Sequence, residues 1–178
     1  MKALVVIALV VVTVVTASSA QQSATAISRL DIELWKATLQ VIQHDKREPL
    51  ALLNETLPAV DIKRTLRAQD REPSTLIDRA LSRNEVIARI SSPIGAAVDL
   101  VEIASVRKVG SEFDTDAIKA RNQRVVRLSL PAISDDGTRA LVFSWTSGGF
   151  NDSSGGGYLF EKKQGMWTFV DYVASWIT

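Results

Sequence analysis

The stretch RALVFSWTSGGFNDSSGGGYLFEKKQGMWTFVDYVASWI, from Arg139 to Ile177, decides the architecture. It holds runs rich in Val, Phe, Trp and Tyr, residue types that suit a pleated, half-buried surface. Between the runs lie a glycine-rich connection, Gly148-Gly149 to Gly155-Gly156-Gly157, and the tight turn Gln164-Gly165. Upstream, a run from Gln123 to Leu130 is stopped by Pro131, and Asp135-Asp136-Gly137 is a hairpin signal. The spacing predicts an antiparallel meander with strands near 123–130, 139–146, 158–163 and 166–177. Strict alternation in the last run puts Trp167, Phe169, Asp171, Val173 and Ser175 on one face. Met166, Val170, Tyr172, Ala174 and Trp176 take the other. Both faces are largely apolar, so both are expected to be covered, one by helices and one by a pocket or a partner subunit.

The N-terminal half has a different texture. Ile27, Leu30, Leu34 and Val41 form one stripe, with Trp35, Leu39 and Ile42 beside it, which predicts a helix over about 23–45. Pro49 ends it, because proline disfavours helix in the residue before it. A loop through Asn54 and Pro58 follows, then a short helix capped by Asp61 and carrying Ile62 and Leu66. Ser74 caps another, with Leu76, Ile77, Ala80 and Leu81 inward, and Asn84-Glu85 either extends it to Ile90 or breaks it. Ala97 to Val109 suits a helix or a strand, and Thr115 to Arg121 suits a helical turn or two. Helices over about 23–90 followed by strands over about 123–178 make an α+β domain, with helices packed on a curved antiparallel meander.

Met1-Lys2, an apolar run from Ala3 to Val15 and the small residues Ser18-Ser19-Ala20 have the layout of a signal peptide over residues 1–20. A membrane span needs about 20 apolar residues, more than this run supplies. Cleavage near Ala20 is expected, leaving a single domain over 21–178 that is exported to the periplasm or beyond and keeps no membrane anchor. The chain has no cysteine, which suits a bacterial envelope protein better than a disulfide-stapled secreted one. Sequons at Asn54 and Asn151 carry little weight. The whole chain has 21 basic and 20 acidic residues, and Lys2 leaves with the leader. No basic field remains to neutralise phosphates, which argues against nucleic-acid binding. The arginines, scattered among acids from Arg29 to Arg139, read as solvated surface.

Much chemistry is missing. Without cysteine there is no thiol nucleophile or redox pair. The one histidine, His44, falls near a helix end, where a cation suits the dipole and the last carbonyls. A histidine-rich metal site is excluded. The glycines lead into Tyr158-Leu159-Phe160, a strand, whereas a phosphate cradle needs a helix N-terminus there, so they read as a flexible hairpin connection. Asp114-Thr115-Asp116 and Asp135-Asp136 lack the calcium-loop spacing. No cofactor or metal is expected. Asp171 is the one polar position that alternates with apolar neighbours on a strand expected to be covered. A buried carboxylate with a raised pKa can act as a general base. Trp145, Tyr158 and Trp167, with Asp171, are the candidates to line an apolar concavity.

Ser129-Leu130-Pro131, Asp136-Gly137, Ala140-Leu141-Val142-Phe143, Gly157-Tyr158-Leu159-Phe160, Lys162, Gly165, Trp167 and Trp176 follow one another in an order that resembles a known group. They resemble the C-terminal meander of small exported bacterial proteins with a cystatin-like cone, related to the nuclear transport factor 2-like superfamily. The resemblance covers the last third of the chain and implies helices packed into the concave side of a curved sheet. It carries no catalytic motif. Three functions stay open. The first is a non-catalytic envelope domain that binds a small apolar ligand or a protein partner. The second is a ketosteroid-isomerase-like or dehydratase-like enzyme with Asp171 as base and Tyr158 as hydrogen-bond donor. The third is a homodimer with a structural or inhibitory role.

Overall fold

The computed structural model describes residues 26–46, 48–67, 74–94, 98–107, 113–149 and 152–177. The expected leader, residues 1–20, and the sequon at Asn151 lie outside them.

Helix α1 (Arg29–Lys46) opens on a reciprocal cap. The Ser28 N–H and hydroxyl both donate to Asp31 Oδ2 at 2.8 Å, and the Asp31 N–H donates to Ser28 Oγ at 3.2 Å. Leu34, Trp35, Leu39 and Ile42 form its buried stripe, and the Trp35 indole donates to the Ser129 carbonyl at 2.7 Å. The chain then forms strand β1 (Leu50–Leu53), where the sequence reading has a loop. All four residues are buried. A continuous apolar run is what a strand covered on both faces requires, and Leu50 to Leu53 supply it.

Helices α2 (Ala59–Arg67) and α3 (Thr75–Arg83) follow. Asn84 breaks α3 and does not extend it to Ile90. Its buried amide donates to the Ala80 and Leu130 carbonyls at 2.8 and 3.0 Å and accepts from the Leu130 N–H at 2.7 Å. The ambiguous segment after residue 97 resolves into strand β2 (Asp99–Val101) and a 3-10 turn, Ile103–Val106. Helix α4 (Thr115–Lys119) is capped by Asp114, whose Oδ1 accepts from the Asp116 and Ala117 N–H groups at 3.1 Å. The remaining strands are β3 (Arg124–Leu128), β4 (Ala132–Ile133), β5 (Arg139–Gly149), β6 (Asp152–Lys163) and β7 (Met166–Ile177).

These strands make one seven-stranded sheet in the order β2-β1-β3-β5-β6-β7, with β4 beside β5. The class is α+β, but the sheet is mixed where an antiparallel meander is expected. Strand β1 runs parallel to both β2 and β3, and the other pairs are antiparallel. Helices also cover both faces instead of one. Helix α1 packs on Leu50, Leu52, Val126, Leu128, Val142 and Phe160. On the opposite face, Ile62 of α2 and Ile77 of α3 pack with Leu141 and Phe143. Ile118 of α4 joins Ala51, Leu53 and Val125 on that face.

Two details of β6 and β7 depart from expectation. Gly155, Gly156 and Gly157 lie inside strand β6 and not in a flexible connection. A Cβ on Gly157 would stand 2.9 Å from the Phe143 ring, and one on Gly155 would stand 2.6 Å from Trp176 Nε1. Aromatic rings crossing the strand require Gly155 and Gly157, and at Gly156 a Cβ would run into the Ala174 carbonyl oxygen. Strand β7, in turn, slips register twice against β6. Tyr158 pairs with Tyr172, Leu159 with Asp171, and Phe160 with Phe169. Each slip inserts one extra residue and resets the alternation. Tyr172, Phe169 and Trp167 therefore all pack with the α1 cluster, whereas Val173 packs on the opposite face. Trp176 also lies on that opposite side, where its indole donates to Thr65 Oγ1 of α2 at 3.3 Å. The turn between β6 and β7 is a two-residue loop with Gln164 and Gly165 at φ 50° and 82°, the backbone that a type I′ hairpin needs.

Candidate functional site

The C-terminal half of α1 does not lie flush on β7. Between them runs an open groove of about 520 Å³, lined by Val41, His44 and Asp45 from the helix and by Phe160, Trp167, Phe169 and Tyr172 from the sheet. Pro49 ends the helix just beyond these residues, and the two register slips turn the aromatics toward it. The groove follows from both features.

Its floor is a set of tilted rings. Phe169 and Tyr172 stand 4.9 Å apart at 60°, Phe160 and Phe169 6.0 Å apart at 71°, and Tyr158 and Tyr172 5.2 Å apart at 65°. Each pair presents a ring edge to a ring face, which suits the aromatic quadrupole. The Tyr172 hydroxyl donates to Asp45 Oδ2 at 2.5 Å and ties the floor to the last turn of α1. Burial pushes the Tyr172 phenol above its ordinary value, and its bond to the Asp45 carboxylate adds to the rise. Burial also raises Tyr158. Both phenols are neutral donors at physiological pH. The Lys162 ammonium stands 5.4 Å from the centre of the Trp167 ring. The Trp167 indole N–H is buried and meets no hydrogen-bond acceptor among the described residues. An unmet buried donor carries a desolvation cost of about 1–3 kcal/mol, so it marks a place where an acceptor is wanted.

Of the four residues singled out from sequence, only Trp167 lines this groove. Tyr158 is 8% exposed and packs beneath the floor. Trp145 lies across the sheet, stacked on Phe113 at 4.2 Å and 17°. Asp171 is exposed, not covered as its alternation predicts, and its Oδ1 accepts the adjacent Tyr172 N–H at 2.8 Å. The register slips explain this, since they place it between two extra residues at the sheet's last strand. Asp171 and Tyr158 do not share a pocket. His44 sits exposed in the last turn of α1, as its position predicts. Nothing local in the sequence marks Asp45, because its partner Tyr172 is 127 residues away.

Two of the arginines expected on the solvated surface are buried instead, Arg124 and Arg127 each being 3% exposed. Arg124 donates to Glu48 at 3.0 Å and to Asp152 at 2.6 Å, which pins the β5–β6 hairpin to the start of β1. Arg127 donates to the Glu55 carbonyl at 3.2 Å, and burial pulls its pKa down while Asp61 restores part of it. Asn54 is likewise buried, donating to Glu102 at 2.6 Å and accepting from the Ile103 N–H at 2.9 Å. Its sequon is not presented at the surface.

No family model, curated protein or solved structure matches this chain. Among the described residues no three metal-ligating side chains cluster. The groove offers apolar rings, the neutral Tyr172 phenol and one unmet N–H, which makes it suited to holding a molecule.

Proposed function

We propose that this chain is an exported, non-catalytic domain of the cell envelope that binds a small apolar ligand in the groove between α1 and β7. The buried Trp167 N–H without an acceptor, set in an aromatic wall, is the observation that carries the reading. Ligand sites are mostly apolar concavities with a few placed polar groups, and this groove has that composition. Export rests on the leader-like residues 1–20, and the kinship with cystatin-like cones rests on the meander residues alone. The test is an NMR titration of the mature domain with 2-(naphthalen-2-yl)ethanol. Shifts confined to Trp167, Phe169, Tyr172 and the last turn of α1 are expected. Saturation without shifts there refutes the reading.

A second reading has its own observation. Strand β7 ends the sheet, and Met166, Val170 and Ile177 on it are 68%, 43% and 80% exposed. A long edge strand with exposed apolar side chains is a template for pairing with another strand. A second copy of this chain is the proposed occupant, since near-zero net charge lets copies approach. Sedimentation at micromolar concentration is expected to show a dimer that Val170→Lys dissociates, and a monomer refutes it.

A further inference from the structure

Resting on the ligand-binding reading, we infer that the preferred ligand is an aromatic carboxylate whose acid group seats against the Trp167 N–H beneath Lys162. The ring floor sets the body of the molecule. Phe160, Phe169 and Tyr172 present edges and faces at 4.9 to 6.0 Å, spacings at which a further flat ring can join the array.

The head group follows from the charges nearby. Lys162 is exposed, and its ammonium stands 5.4 Å from the Trp167 ring centre. Among the described residues it forms no ion pair. Its neighbour Glu161 is shared between Arg139 at 4.0 Å and Lys163 at 3.9 Å. Asp45, the carboxylate on the groove, is already engaged by the Tyr172 hydroxyl. An indole N–H that lacks an acceptor and an ammonium that lacks a counter-ion thus sit at the same ring. A carboxylate serves both, as an acceptor for the N–H and a counter-charge for the ammonium, whereas an alcohol serves only the first. A cationic ligand head would meet the ammonium as a like charge.

The experiment compares 2-naphthylacetate with 2-(naphthalen-2-yl)ethanol, two probes with one ring system and different heads. Calorimetric titrations would use the mature domain, Trp167→Phe and Lys162→Met. The acid should bind roughly tenfold tighter than the alcohol, the effect of one charge-assisted hydrogen bond. Lys162→Met should erase that preference while the alcohol's affinity holds within about threefold, and Trp167→Phe, which removes the N–H that both heads use, should weaken both probes. Lys162 is exposed, so its replacement leaves the fold intact even if Trp167→Phe does not. Equal affinity for the two probes overturns this inference and leaves the groove reading standing. Binding of neither probe overturns both. An acid preference that survives Lys162→Met places the head elsewhere on the groove and also overturns the inference.

Discussion

Replacing Arg83 with alanine tests how the two faces of the sheet are tied together. Asp31, in the first turn of α1, is 0% exposed, and Arg83, at the end of α3, is 28% exposed. The guanidinium grips the carboxylate with two bonds, 2.7 Å to Oδ1 and 2.9 Å to Oδ2, and also donates to the Pro131 carbonyl. Arg83→Ala leaves a buried carboxylate with only the Ser28 N–H and hydroxyl as donors. Breaking a buried pair by removing one partner costs about 3–5 kcal/mol. In a domain of this size each kcal/mol moves the melting temperature by about 2–4 °C, so a drop of roughly 6–20 °C is expected. Urea unfolding should show a lower midpoint at unchanged slope. Adding Asp31→Asn should recover part of the loss, because a neutral amide needs no counter-charge. A cost below about 1 kcal/mol, the level of a surface pair, would refute the claim that this pair is desolvated.

Gly157→Ala drives a methyl to within 2.9 Å of the buried Phe143 ring and 3.3 Å of Leu141. Overpacking of that kind costs about 1–3 kcal/mol in a urea melt, and a neutral outcome would mean the ring is free to move. Tyr158 and Tyr172 are the chain's two tyrosines, so phenolate absorbance reports on them alone. Both are raised in the folded state, so their stabilising effect is complete below the ordinary value of about 10 and is lost as pH climbs past it. Folded protein should show little phenolate at pH 10, and ordinary titration there contradicts the burial argument. The Asp136 carboxyl accepts from the Ser134 hydroxyl and the Thr138 N–H, which lower its pKa from 3.8 to about 2. Its contribution is complete above the ordinary value and is lost as acid brings pH down through about 2. An NMR titration midpoint near 4 would show the turn to be open.

The meander was legible in sequence because its signals are local. Asp136-Gly137 and Gln164-Gly165 turn where their residue types demand it, and the apolar stripe of α1 has the helical period. Strand β1 was not legible. Four consecutive apolar residues after Pro49 have no period, and their parallel partners lie at Asp99–Val101 and Arg124–Leu128, far along the chain. Asn84 and Arg127 are polar residues buried by long-range bonds to Leu130 and Glu55, and no pattern around them announces it. The candidate site was half visible. Trp167 stood out by type, but the groove needs Asp45 from the first helix. It also needs the slips in β7, which simple alternation does not foresee.

Those slips have a consequence for how this wall would diverge between related chains. Which side chains point at the helix depends on two inserted backbone positions, so the wall's composition is encoded as a reading frame and not only as letters. Removing a single residue near Val170 would exchange inward-facing rings for outward-facing ones over a whole segment, although every remaining amino acid was kept. One-codon insertions and losses would then change which side chains line the groove, a route that comparison of aligned columns would overlook.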